Sequence, residues 1–148
     1  MNNYYYSQKY SVYANKLIVP GLTMAKGGCV ITNLAMILSY FNDRAFYPDQ
    51  MLDWMKKNNG ILPDGRVKYD VFCKASDNWL RFSYIPNPKA GETTYGIRQV
   101  FIGSAPAWHW IIDHPLIPNK IIDPYNGLVK AFNSFSYTGQ ARYFIGKK

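Results

Sequence analysis

The residues best placed to do chemistry begin with a cysteine behind two glycines, in Lys26-Gly27-Gly28-Cys29. The glycines let the backbone turn sharply and let a substrate come close. The apolar pattern after Cys29 predicts that it stands in the first turn of a helix, where free N–H groups and the helix dipole favour a thiolate over a thiol. Cys29 would then be a nucleophile. Without a partner base, the preferred interpretation is a small core residue, because buried cysteine is common.

The chain holds two histidines that can act as that base, His109 and His114. Alternation within Trp108–Asp113 predicts a strand, and it places His109 on the opposite face from the two tryptophans beside it. A lone histidine in this setting is commonly a hydrogen-bonded structural residue. His114 precedes a proline, and we predict that it faces solvent in a turn.

Asp123 is the candidate that can orient the imidazole of His109. Its predicted strand follows a turn over residues 115–119, so it pairs with the histidine strand and brings the two side chains close together. A carboxylate that accepts from one ring nitrogen fixes the tautomer, and it leaves the other nitrogen to take a thiol proton. Asp123 also fits a simpler role as a turn opener, because Asp-Pro precedes Tyr-Asn-Gly.

A fourth candidate is Gln8, in Tyr6-Ser7-Gln8. A side-chain amide beside a nucleophile can donate a hydrogen bond to the oxyanion of a tetrahedral intermediate. Taken alone, a polar residue near the start of a chain indicates no particular function.

Helices are predicted ahead of the histidine strand. They cover residues 29–41, 48–58 and 68–76. In the first helix apolar residues recur at three- and four-residue steps on one face, and Asn33 and Ser39 interrupt the other faces. The third helix turns Cys73 towards the core. The stretch 4–26 is predicted to be a loop.

The second half of the chain alternates instead of repeating every three or four residues. Short strands are predicted at residues 79–85, 98–102, 108–113, 119–123 and 142–145. Helices followed by strands predict an α+β fold in one domain, residues 1–148, with an N-terminal helical half packed on a C-terminal antiparallel sheet.

Composition limits the classes of function. The chain has 148 residues and a net charge of +8, which attracts polyanions such as the polymers of a bacterial wall. The basic residues are dispersed, so nothing specifies a nucleic-acid groove. No apolar run approaches the roughly 18 residues of a membrane span. The two cysteines do not form a disulfide framework, and no pattern indicates a metal or an organic cofactor.

Taken together, these pieces resemble a known family. Tyr6-Ser7-Gln8 and the helix from Gly28 to Phe41 are similar to the N-terminal half of C39-like (double-glycine-peptidase-like) papain-fold domains. Residues 109–112 and Ile122–Gly127 are similar to that family's histidine and aspartate strands, and residues 48–54 match the segment after its nucleophile helix. The resemblance extends over most of the chain in the expected order Gln, Cys, His, Asp.

The resemblance implies a papain-like fold and a cysteine peptidase. By position, Cys29 is the nucleophile, His109 the general base and then acid, and Asp123 the residue that orients the ring. Gln8 and the N–H of Cys29 are the oxyanion donors. The implied reaction is attack on an amide carbonyl, formation of a thioester and release of the acyl group by water. It requires no cofactor.

The expected substrate depends on which members of the family this chain resembles. Transporter-attached domains remove peptide leaders after Gly-Gly, whereas free-standing domains with a Tyr-Ser-Gln start look like peptidoglycan hydrolases, often from bacteriophages. The chain has no membrane part, and residues 1–8 lack the features of a secretory signal. We therefore expect a phage lysin or virion-associated peptidase that is made in the cytoplasm. It would cut peptidoglycan stem or cross-link peptides at the wall, after holin release or within a virion.

Two alternatives remain open from the sequence. One is a peptidase that acts on a cytosolic protein in host–phage conflict. The other is a catalytically inactive papain-like module that serves binding or structure. The sequence does not indicate an oligomeric state.

Overall fold

The computed structural model describes residues 2–102 and 105–148, with backbone alone at 105–108. The predicted face of the Trp108 side chain therefore lies outside the described part. The helices are α1 (Met24–Gly27), α2 (Cys29–Asn42), α3 (Pro48–Lys57) and α4 (Tyr69–Ala75). Two short strands, β1 (Leu17–Val19) and β2 (Leu22–Thr23), precede them. The later strands are β3 (Leu80–Ser83), β4 (Thr93–Ile102), β5 (Ala105–Asp113), β6 (Lys120–Asp123), β7 (Leu128–Ala131) and β8 (Ser136–Gly146), with a 3₁₀ turn at Phe132–Ser134.

The later strands form one six-stranded sheet in the order β3-β8-β4-β5-β6-β7. Every neighbouring pair in it is antiparallel. The predicted α+β architecture is confirmed, because the N-terminal helices pack on a C-terminal antiparallel sheet. The order matters for the site: β5 and β6 are neighbours, with Ile112 opposite Ile122, so the ends of these strands lie side by side.

Alternate residues of β5 divide between the two faces of the sheet. Ile112 packs into the main core with α2, and Ile111 packs with Val100 and Ile121 in a small cluster on the other face. This division confirms the alternation predicted for the strand. Full burial of an isoleucine typically contributes about 1.5–3 kcal/mol, so these contacts hold β5 firmly in register.

The helix that begins at Cys29, α2, is buried almost all round, which differs from the predicted one-sided pattern. Asn33 and Ser39 are predicted on outer faces, but both are fully buried. Asn33 Nδ2 donates to the Trp110 carbonyl at 2.9 Å, and Ser39 Oγ accepts the N–H of Phe46 at 2.9 Å. Asn33 Oδ1 has no hydrogen-bond partner among the described residues. The helix is therefore a central element between the sheet and the other helices, and its buried polar groups lock it to its neighbours.

The predicted loop at residues 4–26 contains more structure than expected. It includes the β1–β2 hairpin and the single turn of α1, which Thr23 caps by accepting the N–H of Lys26. Elements this short give too few repeats for a periodic pattern to appear.

β8 is longer than predicted because its first part pairs with β4 alone. β3 reaches only residues 143–146 of β8, whereas β4 pairs with it from Ser136 onward. This pairing outweighs the weak strand preference of the polar residues. Gly139 interrupts the strand with φ of 91° where one residue of β4 faces three residues of β8, 138–140. That backbone conformation suits glycine, and the two extra residues form a bulge. In the described residues, no helix combines the length and the apolar character that crossing a membrane would require.

Candidate active site

Cys29 is the first residue of α2 and is nearly buried. Gly28 caps the helix, and its own N–H donates to the Met24 carbonyl at 2.8 Å. The two glycines serve close packing and not the sharp turn predicted, since neither has a positive φ. A Cβ on Gly28 would lie 2.5 Å from the Met24 carbonyl oxygen, and one on Gly27 would lie 2.6 Å from the Leu22 side chain. Small residues here let α1 fold tightly against the start of α2.

His109 lies on β5, and its ring is buried between two chemical partners. Its Nε2 lies 2.7 Å from Asp123 Oδ1, and the other ring nitrogen, Nδ1, is left for the Cys29 thiol. Burial lowers the pKa of His109, but hydrogen bonds to Asp123 and to Cys29 outweigh it and raise the pKa to about 9. The ring is therefore mainly an imidazolium at neutral pH. An imidazolium beside a thiol favours the thiolate form, which is the reactive nucleophile.

Asp123 ends β6 and is almost completely buried. Besides His109, its Oδ1 accepts the backbone N–H of Tyr125 at 3.0 Å, and its Oδ2 accepts Lys130 Nζ at 2.9 Å. Burial alone would raise the pKa of Asp123. The hydrogen bonds from His109, Lys130 and Tyr125 lower it to about 2. The carboxylate therefore stays charged at any pH at which the protein is handled.

Lys130 is a functional candidate that the sequence did not reveal. It lies on β7 opposite Ile121, diagonal to Asp123 on the same face of the β6–β7 pair. Diagonal neighbours across two strands are within reach of a long side chain. A prediction of β7 as a strand would have exposed this pairing, but its sequence, Leu-Val-Lys-Ala, is too short to signal one.

Gln8 is buried between the aspartate loop and the helix that leads to Cys29. Its backbone N–H donates to the Pro124 carbonyl at 2.7 Å, and its side-chain Nε2 donates to the Ala25 carbonyl at 2.9 Å. A longer contact of 3.4 Å joins Nε2 to the Met24 carbonyl, and Oε1 is buried with no partner in the described part of the chain. Gln8 thus joins the two segments that carry Asp123 and Cys29. Its service as an oxyanion donor remains a prediction.

Asn33 positions the site from within α2. It lies one turn after Cys29 on the same face of the helix, and it bonds the carbonyl of Trp110, the residue after His109. This buried hydrogen bond therefore fixes the nucleophile helix against the histidine strand next to the candidate pair. The sequence gave Asn33 no special role because its partner is a backbone atom distant in the chain.

The prediction that His114 faces solvent is wrong. The residue is 7% exposed, its Nε2 lies 3.0 Å from the Tyr5 hydroxyl, and its Nδ1 accepts the N–H groups of Leu116 and Ile117 at 3.1 Å. Burial lowers the pKa of His114. The ring holds the turn after β5 closed and links it to the N-terminal segment, which explains why a turn histidine is buried.

Cys29 opens on a cleft of about 580 Å³ between the helices and the sheet. The cleft is lined by aromatic and polar side chains, among them Tyr69, Tyr84, Trp110 and Arg142. Its size suits an extended peptide segment of a few residues.

Cys73, in contrast, is buried in the core on α4, and burial raises the pKa of its thiol to about 11. Among the described residues, no three His, Cys, Asp or Glu side chains converge in a way that could hold a metal ion.

The sequence matches no protein-family model and no curated protein. The structure is similar to the crystal structure of the peptidase domain of Streptococcus ComA, a bifunctional ABC transporter involved in a quorum-sensing pathway. The TM-score is 0.52 with 15% identity, over 88% of this chain and 97% of that domain. This similarity confirms the papain-like fold and supports the resemblance to C39-like domains at the level of the fold. The narrower resemblance to phage lysins remains a prediction.

Proposed function

We propose that the protein is a cysteine peptidase with Cys29 as nucleophile, His109 as proton carrier and Asp123 as the residue that orients the ring. The observation that carries the proposal is the buried imidazole between a thiol and a carboxylate, with Nε2 held at 2.7 Å by Asp123. A histidine with only a structural role would not need a thiol at its second nitrogen. The same thiol stands at a helix start and opens on a cleft that can take a peptide.

The chemistry follows from the charges. In the proposed reaction the proton of Sγ passes to Nδ1 of His109, and the thiolate attacks the substrate carbonyl and forms a C–S bond. The carbonyl electrons move to oxygen, and the N–H of Cys29 would stabilise that oxyanion. Gln8 Nε2 would add a second donor by exchanging its long 3.4 Å contact with the Met24 carbonyl for the oxyanion. The C–N bond then breaks as the imidazolium gives its proton to the leaving amine. The neutral ring takes a proton from water, which attacks the thioester, and the C–S bond breaks to release the acid.

The proposed substrate is a peptide of the bacterial wall, in a stem or a cross-link. The net charge of +8 supports this choice, because a basic protein concentrates on a wall rich in phosphate and carboxylate. In this proposal the protein acts as a phage lysin or as part of a virion, and it reaches the wall from a cell that made it in the cytoplasm.

The test has two arms. Purified protein is incubated with bacterial walls, and newly freed amines are counted; Cys29→Ala should abolish the release, whereas Cys73→Ser should retain it. In parallel, iodoacetamide at pH 7 should alkylate Cys29 much faster than Cys73, because the pKa of the buried Cys73 thiol is raised. Release of amines that survives Cys29→Ala would refute the assignment.

The two arms also separate the alternatives. Rapid labelling of Cys29 without any wall cleavage would retain the peptidase and move its substrate to another protein, such as a cytosolic target. Equal labelling of Cys29 and Cys73 would instead indicate an inactive module that uses the fold for binding.

A further inference from the structure

Arg142 is a cation in the cleft that Cys29 opens on. Its guanidinium lies against two aromatic rings, 4.8 Å from the centre of Tyr84 and 5.3 Å from the centre of Trp110. Such contacts hold the planar group in place and leave its charge uncompensated. The side chain is half-buried, so the charge is partly withdrawn from water.

Its hydrogen bonds orient the group without neutralising it. Nη1 donates to the Ala141 carbonyl and Nη2 to Gln140 Oε1, each at 2.9 Å. Both partners are neutral. Because each terminal nitrogen carries two hydrogens, one N–H on each remains for a further acceptor. Nε is buried and has no partner among the residues that the structure describes.

The other arginines of the sheet and the cleft are paired with carboxylates. Arg66, which also lines the cleft, pairs with Asp64 at 2.7 Å, and Arg98 pairs with Asp113 at 2.8 Å. In the described part of the chain, no carboxylate lies within salt-bridge distance of Arg142. A fixed, partly desolvated cation in the same cleft as the candidate nucleophile therefore lacks an anionic partner among the described residues.

Tyr69 shows that this cation and the nucleophile share one region. Burial raises the pKa of Tyr69, the charge of Arg142 lowers it and a charge on Cys29 raises it. Both side chains therefore act on the same hydroxyl. Cys29 and Arg142 also line the same cleft, so a ligand bound there can meet both side chains.

We infer that Arg142 binds a carboxylate of the substrate, so that the enzyme selects peptides with an acidic group close to the scissile bond. This inference deepens the proposed function and rests on it. A carboxylate matches the planar fork of a guanidinium and can accept the two free N–H groups together. Gln99 and Gln140 in the same cleft are neutral, and the charge of Arg66 there is paired with Asp64, so Arg142 supplies the charge selectivity.

Two alkylating probes that differ only in charge test the inference. They are the α-amides of N-iodoacetyl-glutamate and N-iodoacetyl-glutamine, and the rate of alkylation of Cys29 is followed by peptide mass analysis. We expect the glutamate probe to react about tenfold faster with the native protein, the size of one charge-assisted hydrogen bond. Arg142→Gln should remove the preference, and Arg142→Lys should retain part of it. Arg66→Gln is the matched control and should leave it unchanged.

The outcomes distinguish this inference from the proposed function. Equal rates of the two probes with the native protein, or a preference that survives Arg142→Gln, would overturn the carboxylate site. Fast labelling of Cys29 in the same experiment would still support its role as nucleophile. If Cys29 proved unreactive, the proposed function would fail. The inference that Arg142 binds a carboxylate would then be tested by ligand binding alone. In that case N-acetyl-glutamate α-amide, titrated into the Cys29→Ser variant, should shift the Trp110 indole NMR signal far more than the glutamine analogue. Equal shifts would overturn the inference.

Discussion

Replacing Asp123 with asparagine separates two roles of the carboxylate, its charge and its geometry. Asn has the same shape, so the variant keeps a hydrogen-bonding group against His109 and loses the charge. The orientation of the new amide can be worked out from the neighbours. Oδ1 of Asp123 now faces two donors, His109 Nε2 and the N–H of Tyr125, whereas Oδ2 faces only Lys130 Nζ.

The amide oxygen should therefore take the Oδ1 position. The reverse orientation would point an NH₂ group at the backbone N–H of Tyr125, which cannot move away. In the favoured orientation the NH₂ group meets Lys130 Nζ instead, and that side chain is 32% exposed and can swing into solvent. Nε2 of His109 then still donates to an oxygen, and Nδ1 still faces Cys29. The tautomer that catalysis needs survives the substitution.

What the variant loses is the stabilisation of the imidazolium. A pKa of about 9, against the ordinary 6.5, corresponds to about 3 kcal/mol of preference for the protonated ring, shared between Asp123 and Cys29. Removal of a nearby opposite charge should lower the pKa of His109 by between about one and three pH units. We expect kcat/KM to fall roughly ten- to a hundredfold as the thiolate–imidazolium pair becomes less populated. Asp123→Ala, which also frees the ring to adopt the wrong tautomer, should lose about 10⁴-fold.

The assay is NMR titration of the two imidazoles, together with kinetics on a peptide substrate. The chain has only two histidines, so His114→Gln assigns the signal of His109. Asp113→Asn is the matched control, because Asp113 pairs with Arg98 on the same sheet and does not contact the ring. The reasoning is refuted if His109 in Asp123→Asn still titrates near pH 9, or if the asparagine variant is as inactive as the alanine variant.

Three further predictions follow, two from the proton on His109 and one from the position of its strand. Because the pKa of His109 is about 9, peptidase activity should fall tenfold per pH unit above that value, whereas alkylation of Cys29 by iodoacetamide, which needs only the thiolate, should not. The raised pKa also means that this ion pair stabilises the fold fully below pH 6.5 and less as pH rises to about 9, so Tm should fall over that window. Asn33→Leu leaves the Trp110 carbonyl unpaired, and we expect a loss of about 1–3 kcal/mol of unfolding free energy together with a lower kcat. Ser39→Ala is the control: it removes buried hydrogen bonds from the same helix, and a matching loss of kcat there would contradict a positioning role for Asn33.

The elements that the sequence predicted well are those with many repeats of one pattern. The helices at Cys29–Asn42 and Pro48–Lys57 were placed within one residue at each end, because each presents several turns of apolar spacing or clear end signals. β8 was predicted to be four residues, 142–145, and spans Ser136–Gly146. The part that was not predicted is a strand because it pairs with β4, and pairing partners are invisible to a local pattern.

The site also divides into features that the local sequence reveals and features that depend on distant partners. The order of Gln8, Cys29, His109 and Asp123 along the chain could be recognised, and the structure brings His109 into contact with both Cys29 and Asp123. Their catalytic roles remain predictions. The supporting contacts of Asn33 could not be foreseen, because hydrogen bonds to backbone atoms leave no mark on residue type.

Lys130 completes the electrostatics of the site. The imidazolium of His109 and the carboxylate of Asp123 form a buried ion pair, and such a pair is stable only if its remaining polar atoms are also bonded. The ammonium at 2.9 Å from Asp123 Oδ2 supplies that bond. Because it binds the oxygen that His109 does not use, it also fixes the plane of the carboxylate and keeps Oδ1 towards the ring. Lys130 therefore lets Asp123 stay ionised in the interior while Asp123 holds His109 charged.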